Sequence, residues 1–138
     1  MAKFSDIHLQ LEKLAEEFRE DPSDEKGNQI IAEICRLIQE DASILIDGIP
    51  SPVNPNVMVP SGYYAPDGRF YFHLFSSRVS FDRSVAEHPF LTHMSGLMEF
   101  LAKNPQVGGC SLNPLKEKGT ILITREDIEK YQKENGNE

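Results

Sequence analysis

Residues 65–77 read APDGRFYFHLFSS, and this stretch decides the fold. Pro66-Asp67-Gly68 is a turn signal: proline presets one turn dihedral, and glycine accepts positive φ. Phe70 to Phe75 then forms a dense aromatic strand with His73 in its middle. Alternation sends Phe70, Phe72 and Leu74 to one face and Tyr71, His73 and Phe75 to the other. Both faces are largely apolar, so this is expected to be a central strand of a sheet.

Upstream, residues 4–20 carry a helical pattern. Phe4, Ile7, Leu11, Leu14, Ala15 and Phe18 recur at three- and four-residue steps. Ser5 or Asp6 is placed to cap its start, and Asp21-Pro22 to end it. Ser23-Asp24-Glu25 opens a second helix with the buried stripe Ile30, Ile31, Ile34, Leu37 and Ile38. The pair needs a further layer to cover its stripes, most simply a sheet.

Ala42 to Asp47 reads as the first strand. Prolines 50, 52, 55 and 60 make the next stretch a loop, with at most a short edge strand around Val57-Met58-Val59. Ser80 to Arg83 allows one short helical turn. Leu91 to Lys103 reads as a helix capped by Thr92, with Leu91, Met94, Leu97, Met98 and Leu101 as its stripe. Val107 to Leu112 reads as strand, Asn113 to Gly119 as a turn, and Thr120 to Ile123 as the last strand. Thr124 to Asp127 has the pattern of a capping box opening a helix over about residues 125–134. Residues 135–138 are expected to fray.

The order α-α-β-(β)-β-α-β-β-α predicts one α+β domain over residues 1–138. It has a helical pair (1–41) followed by a mixed, mostly antiparallel sheet with helices packed on it (42–134).

The 138 residues are enough to bury a core without disulfide or metal staples. Net charge is −8, concentrated at the two ends: residues 1–41 carry −6, 42–123 carry 0 and 124–138 carry −2. Such a surface disfavours phosphate backbones and anionic lipid, so neither nucleic acid nor membrane is an expected partner. The charges are read as solubilising helix faces. Met1-Ala-Lys-Phe-Ser runs into charged helix without a signal-peptide pattern, and no apolar run has the length of a membrane span. Cys35 and Cys110 are far apart in sequence and are read as buried thiols in a reducing, cytoplasmic setting, with a disulfide between them as the alternative.

Chemistry leaves few marks. His8 lies on an acidic helix and is read as solvated. His88 and His93 flank Pro89 without the spacing of a helical zinc motif. No nucleophile elbow, phosphate loop or dinucleotide fingerprint occurs. Gly108-Gly109 lies inside a strand and reads as a bulge or a close approach. Cys110 has no cation beside it in sequence to lower its pKa. No catalytic residue, cofactor or metal is expected.

Pro66-Asp67-Gly68-Arg69, the strand ending Leu74-Phe75-Ser76-Ser77, and Leu112-Asn113-Pro114 ahead of Ile121 to Ile128 together resemble the SseB N-terminal domain family, named for an enhanced serine sensitivity phenotype. Phe72-His73 stands where that family commonly has a proline, Ser76-Ser77 replaces its threonine-serine, and the proline-rich stretch 50–60 is longer. The resemblance implies a non-catalytic, protein-interacting cytoplasmic domain, and it carries no catalytic residue or cofactor across.

The expected function is therefore an interaction or accessory module with an unknown protein partner, which includes self-association through a helix face or edge strand. Ser76, Ser77, Arg78 and Asn113, where polar loops leave the strand ends, are the candidate binding residues. The alternative is a small hydrolase or transferase with a dispersed site, using His73 with Asp67 or Asp82.

Overall fold

The computed structural model describes residues 8–114 and 121–135. The proposed Ser5 or Asp6 cap, Phe4 and Ile7 of the first stripe, part of the turn after Asn113, and most of the C-terminal tail lie outside them.

Two helices come first, α1 (Leu9–Glu20) and α2 (Asp24–Gln39). Pro22 separates them, and the Ser23 side chain caps α2 by accepting the Lys26 N–H. Leu11, Leu14 and Ala15 of α1 and Ile30, Ile34 and Leu37 of α2 are buried together, as their spacing predicts. Strands β1 (Ser43–Pro50), β2 (Met58–Pro60), β3 (Gly62–Tyr64) and β4 (Phe70–Phe75) follow. Then come the short α3 (Arg78–Asp82), β5 (Pro89–His93), α4 (Met94–Lys103), β6 (Val107–Leu112), β7 (Ile121–Thr124) and α5 (Arg125–Glu134).

The described residues form one mixed sheet. β4 is central, with β1 and β3 antiparallel to it on one side and β6 parallel on the other. β7 is antiparallel to β6 and ends the sheet. β5 pairs antiparallel with β1 at the far end. Asp47 O accepts from Ser61 and Gly48 N–H donates to His88 O, so β2 and β5 lie along opposite edges of β1. The parallel β4–β6 pair requires a crossover, and α3, β5 and α4 supply it.

Ile44, Ile46, Phe72, Leu74, Cys110, Leu112, Ile121 and Ile123 line the face under α1, α2, α4 and α5. Burying each large aliphatic or aromatic side chain contributes about 1.5–3 kcal/mol. The opposite face is covered in part by α3, where Phe81 packs edge-on against Phe75 at 4.9 Å and beside Leu45.

Gly108 and Gly109 fulfil the bulge expectation. The β4–β6 register shifts between Phe70/Val107 and Tyr71/Gly109, leaving Gly108 as the extra residue. A Cβ on Gly108 would lie 2.7 Å from Tyr71 Cζ, and one on Gly109 (φ +149°) would lie 2.0 Å from Ile123 O.

One expected element is corrected. Leu91 and Thr92 do not open a helix. Pro89–His93 is strand, His93 occupies the N-cap position of α4 without a side-chain cap bond, and the helix begins at Met94. The pairing with β1, Ile44↔Thr92 and Ile46↔Phe90, outweighs the local helical spacing. The proline-rich stretch yields the one short edge strand expected, β2, with Pro50 and Pro60 at strand ends; β3 (Gly62–Tyr64), after it, is a strand the sequence reading did not anticipate.

Candidate functional site

Four residues singled out from sequence lie at the carboxyl ends of β4 and β6, the only parallel pair among the described residues. In α/β sheets this is where a crevice usually forms. Here the chain fills it with its own α1. The Ser76 N–H donates to Asn113 Oδ1 and Asn113 Nδ2 donates to Ser76 Oγ, both at 2.8 Å. Ser76 Oγ donates onward to Glu12 Oε1 at 3.1 Å. The Asn113 N–H donates to Leu74 O, and Asn113 adopts φ +46°, a conformation asparagine tolerates better than most residues.

His8, Glu12, Glu16 and Arg19 recur along one face of α1. The His8 N–H donates to Ser76 O at 2.7 Å, and His8 Nε2 donates to Ser43 O at 2.6 Å. That acceptor is a carbonyl, so Nε2 carries the proton. Glu16 pairs loosely with Arg83 at 3.7 Å. Arg19 Nη2 donates to the carbonyls of Asn113 (2.5 Å) and Leu112 (3.4 Å). Burial, then Arg83, lowers the Arg19 pKa from its ordinary value. His8 is therefore a linking group rather than a solvated one. Part of the acidic face of α1 likewise docks on the sheet ends instead of facing water.

Ser76, Ser77 and Asn113 are buried, and their side chains are spent inside the fold. Ser77 Oγ caps α3 by accepting the Ser80 N–H. Only Arg78 of the four is exposed; it pairs with Asp82 at 3.2 Å and lies over the Phe81 ring. The helical periodicity of His8, Glu12, Glu16 and Arg19 was the signal that could have revealed this seam.

The turn before β4 forms a second polar cluster. Asp67 accepts from Tyr71 Oη at 2.7 Å and from the Arg69 N–H at 2.9 Å. Arg69 in turn makes a two-pronged pair with Glu126 in the first turn of α5, at 2.9 and 3.2 Å. The Tyr71 hydrogen bond, then the Arg69 N–H, holds the Asp67 pKa below the usual carboxylate range. Thr124 and Asp127 form the expected capping box at the start of α5.

His73 points to the partly covered face, its ring stacked on Tyr63 at 6.1 Å. Its register partner on β6 is Ser111. His73 Nδ1 and Ser111 Oγ are both buried without a hydrogen-bond partner among the described residues. Burial lowers the His73 pKa, and Asp47 partly opposes this. Asp67 is engaged by Tyr71 and Arg69, and Asp82 by Arg78; neither pairs with His73. Cys35 and Cys110 are buried, their thiols pushed up to about 11 and about 12 by burial. No group of three metal-ligating side chains converges among the described residues. No helix among them is long and apolar enough to cross a membrane.

Open grooves of mixed apolar and polar lining lie at the two ends of the sheet. Beside β5 and α4, a groove of about 300 Å3 is lined by Val57, Met58, Phe90 and Phe100. A larger one, about 530 Å3, runs between the α1–α2 turn and β7. Phe18, Ile30 and Ile31 form its helical wall, and Ile121 and Ile123 its strand wall.

The class these observations define is an α+β domain with a mixed sheet, a sealed strand-end crevice and open edge grooves. No family model, curated protein or solved structure matches the chain.

Proposed function

We propose that the chain is a non-catalytic, cytoplasmic protein-interaction domain akin to the SseB N-terminal domains it resembles. The observation that carries this reading is the groove beside β7. There Phe18 and Ile31 are only partly buried and border about 530 Å3 of open space, whereas the polar side chains at the strand ends are engaged with one another. A concave surface that pairs part-exposed apolar side chains with polar groups is a binding feature. Two parts of the sequence resemblance also touch: Arg69 of the turn grips Glu126 of the segment after the last strand.

The test compares the intact protein with Ile31→Glu as bait, with thermal melting as the control for folding. A stoichiometric partner should be held by the wild type and lost by the variant at unchanged melting temperature. Equal retention by both baits, or no specific retention by either, would count against the reading.

A further inference from the structure

We infer that the groove beside β7 receives an extended, apolar peptide segment flanked by lysine or arginine, which adds to the sheet as a strand next to β7. This rests on the interaction reading above and names the chemistry and geometry of the partner.

Three observations lead to it. First, β7 ends the sheet formed by the described residues, and no described strand pairs with its outer side. Asn113 N–H donates to Leu74 O, which fixes the odd residues of this part of β6 as facing β4. Cys110 and Leu112 therefore face β7 and pair with Ile123 and Ile121. Leu122 must then direct its N–H and C=O out of the sheet, and no described residue meets them.

Second, the space beside that edge has the right walls. Ile121 and Ile123 pack on the helix side of the strand, almost fully buried, and the partly buried Phe18 and Ile31 line the same groove. An added strand would send alternate side chains between these walls while its backbone bonds Leu122. Main-chain bonds then supply affinity, and the apolar walls select the side chains.

Third, the rim is acidic. Asp24 and Asp127, in the first turns of α2 and α5, line the groove, and no lysine or arginine among the described residues does. The nearby cations among the described residues are committed elsewhere: Lys26 pairs with Glu17, and Arg125 donates to the carbonyls of Val107, Leu101 and Asn104. A basic flank on the incoming strand meets this charge, whereas an acidic one is repelled.

The edge of β5 is the weaker candidate for strand addition. It opens with Pro89, which has no N–H to offer, and its groove is smaller.

The probe is a dye-labelled peptide, Lys-Val-Thr-Val-Thr-Val-Lys, titrated into the full chain by fluorescence anisotropy. A Glu-flanked analogue and an analogue N-methylated at the central valine serve as controls. The Lys-flanked peptide should bind at least tenfold more tightly than the Glu-flanked one, and N-methylation should abolish binding. Asp24→Asn, at an exposed position, should weaken binding several-fold, as should 0.5 M salt. Backbone amide shifts should move in Ile121–Thr124 and at Phe18 and Ile31.

Equal binding of both charged peptides overturns the proposal, as do shifts confined to β5. A protein whose mass doubles with concentration while the β7 shifts move identically would assign the groove to a second copy instead. If a partner is lost on Ile31→Glu while no peptide binds, this inference falls and the interaction reading stands.

Discussion

Replacing Asn113 by alanine should cost about 3 kcal/mol of folding stability. The Ser76 N–H is buried and has Asn113 Oδ1 as its acceptor, at 2.8 Å. Stranding a buried donor costs about 1–3 kcal/mol. Asn113 also holds φ +46°. Asparagine accepts this region because its short side chain bonds locally, while alanine incurs about 1 kcal/mol or more. Ser76 Oγ loses the Asn113 donor but keeps Glu12 as its own acceptor, so that contact softens without stranding a further proton.

The two terms can be separated. Asn113→Gly removes the same hydrogen bonds but relieves the backbone, so it should recover about 1 kcal/mol relative to alanine. Urea unfolding at constant m-value measures both variants. For a chain of this length the alanine variant should melt about 10 °C lower. The Ser76 amide should also exchange with solvent faster in both variants than in the wild type. An alanine cost below about 1 kcal/mol, or a glycine variant no more stable than the alanine one, would refute the assignment of Asn113 as the acceptor that closes the crevice.

Three further outcomes follow from the same geometry. Gly109→Ala should lose more than about 3 kcal/mol by displacing β7, because its Cβ would lie 2.0 Å from Ile123 O; Gly68→Ala, at φ +83° but in open space, should lose only about 1 kcal/mol. Equal urea midpoints for those two variants would contradict the close approach. The folded-state pKa of His73 is lowered by burial from 6.5, so the unfolded chain binds the extra proton first. Stability is then fully present above about pH 6.5 and declines as pH falls toward the folded value; His73→Phe should lack that share of the decline in unfolding curves taken from pH 8 to pH 5. Cys35 and Cys110, with thiols near 11 and 12, should resist a disulfide reagent at pH 8 in the native state and react in urea. Rapid labelling of either thiol without denaturant would show its burial to be wrong.

Much of the architecture was legible because local and global signals agree. The apolar stripes of α1 and α2, the turn into β4 and the capping box at Thr124 each combine a periodicity with a terminating or capping residue. β5 failed on both counts. Phe90-Leu91-Thr92-His93 is too short to display alternation, and Leu91 falls three residues before Met94, in phase with the stripe of α4. Only the distant Ile44 and Ile46 make it a strand. The site was harder for the same reason. Ser76 and Asn113 were singled out as polar residues at strand ends, which located the crevice. Their partners Glu12, His8 and Arg19 lie more than sixty residues away, on a helix whose charges read individually as solvated. The groove beside β7 leaves no local mark, since Phe18 and Ile31 look like ordinary core residues until the sheet ends beneath them.

The two polar clusters and the groove also bear on one another. α1 buries Leu11, Leu14 and Ala15 at the centre, commits Glu12 and Arg19 to the strand ends, and turns Phe18 toward the groove. A ligand entering the crevice would have to displace an amide already making two bonds to Ser76, together with the carboxylate beside it. Each bond broken would have to be replaced in a buried setting, where an unpaired donor costs about 1–3 kcal/mol. A strand entering beside β7 breaks no bond between described residues: Leu122 offers unpaired backbone groups, and Phe18 and Ile31 gain cover. The same helix therefore makes the crevice costly to open and leaves the groove accessible, which is why the proposed recognition is placed at the sheet edge rather than at the carboxyl ends of its parallel strands.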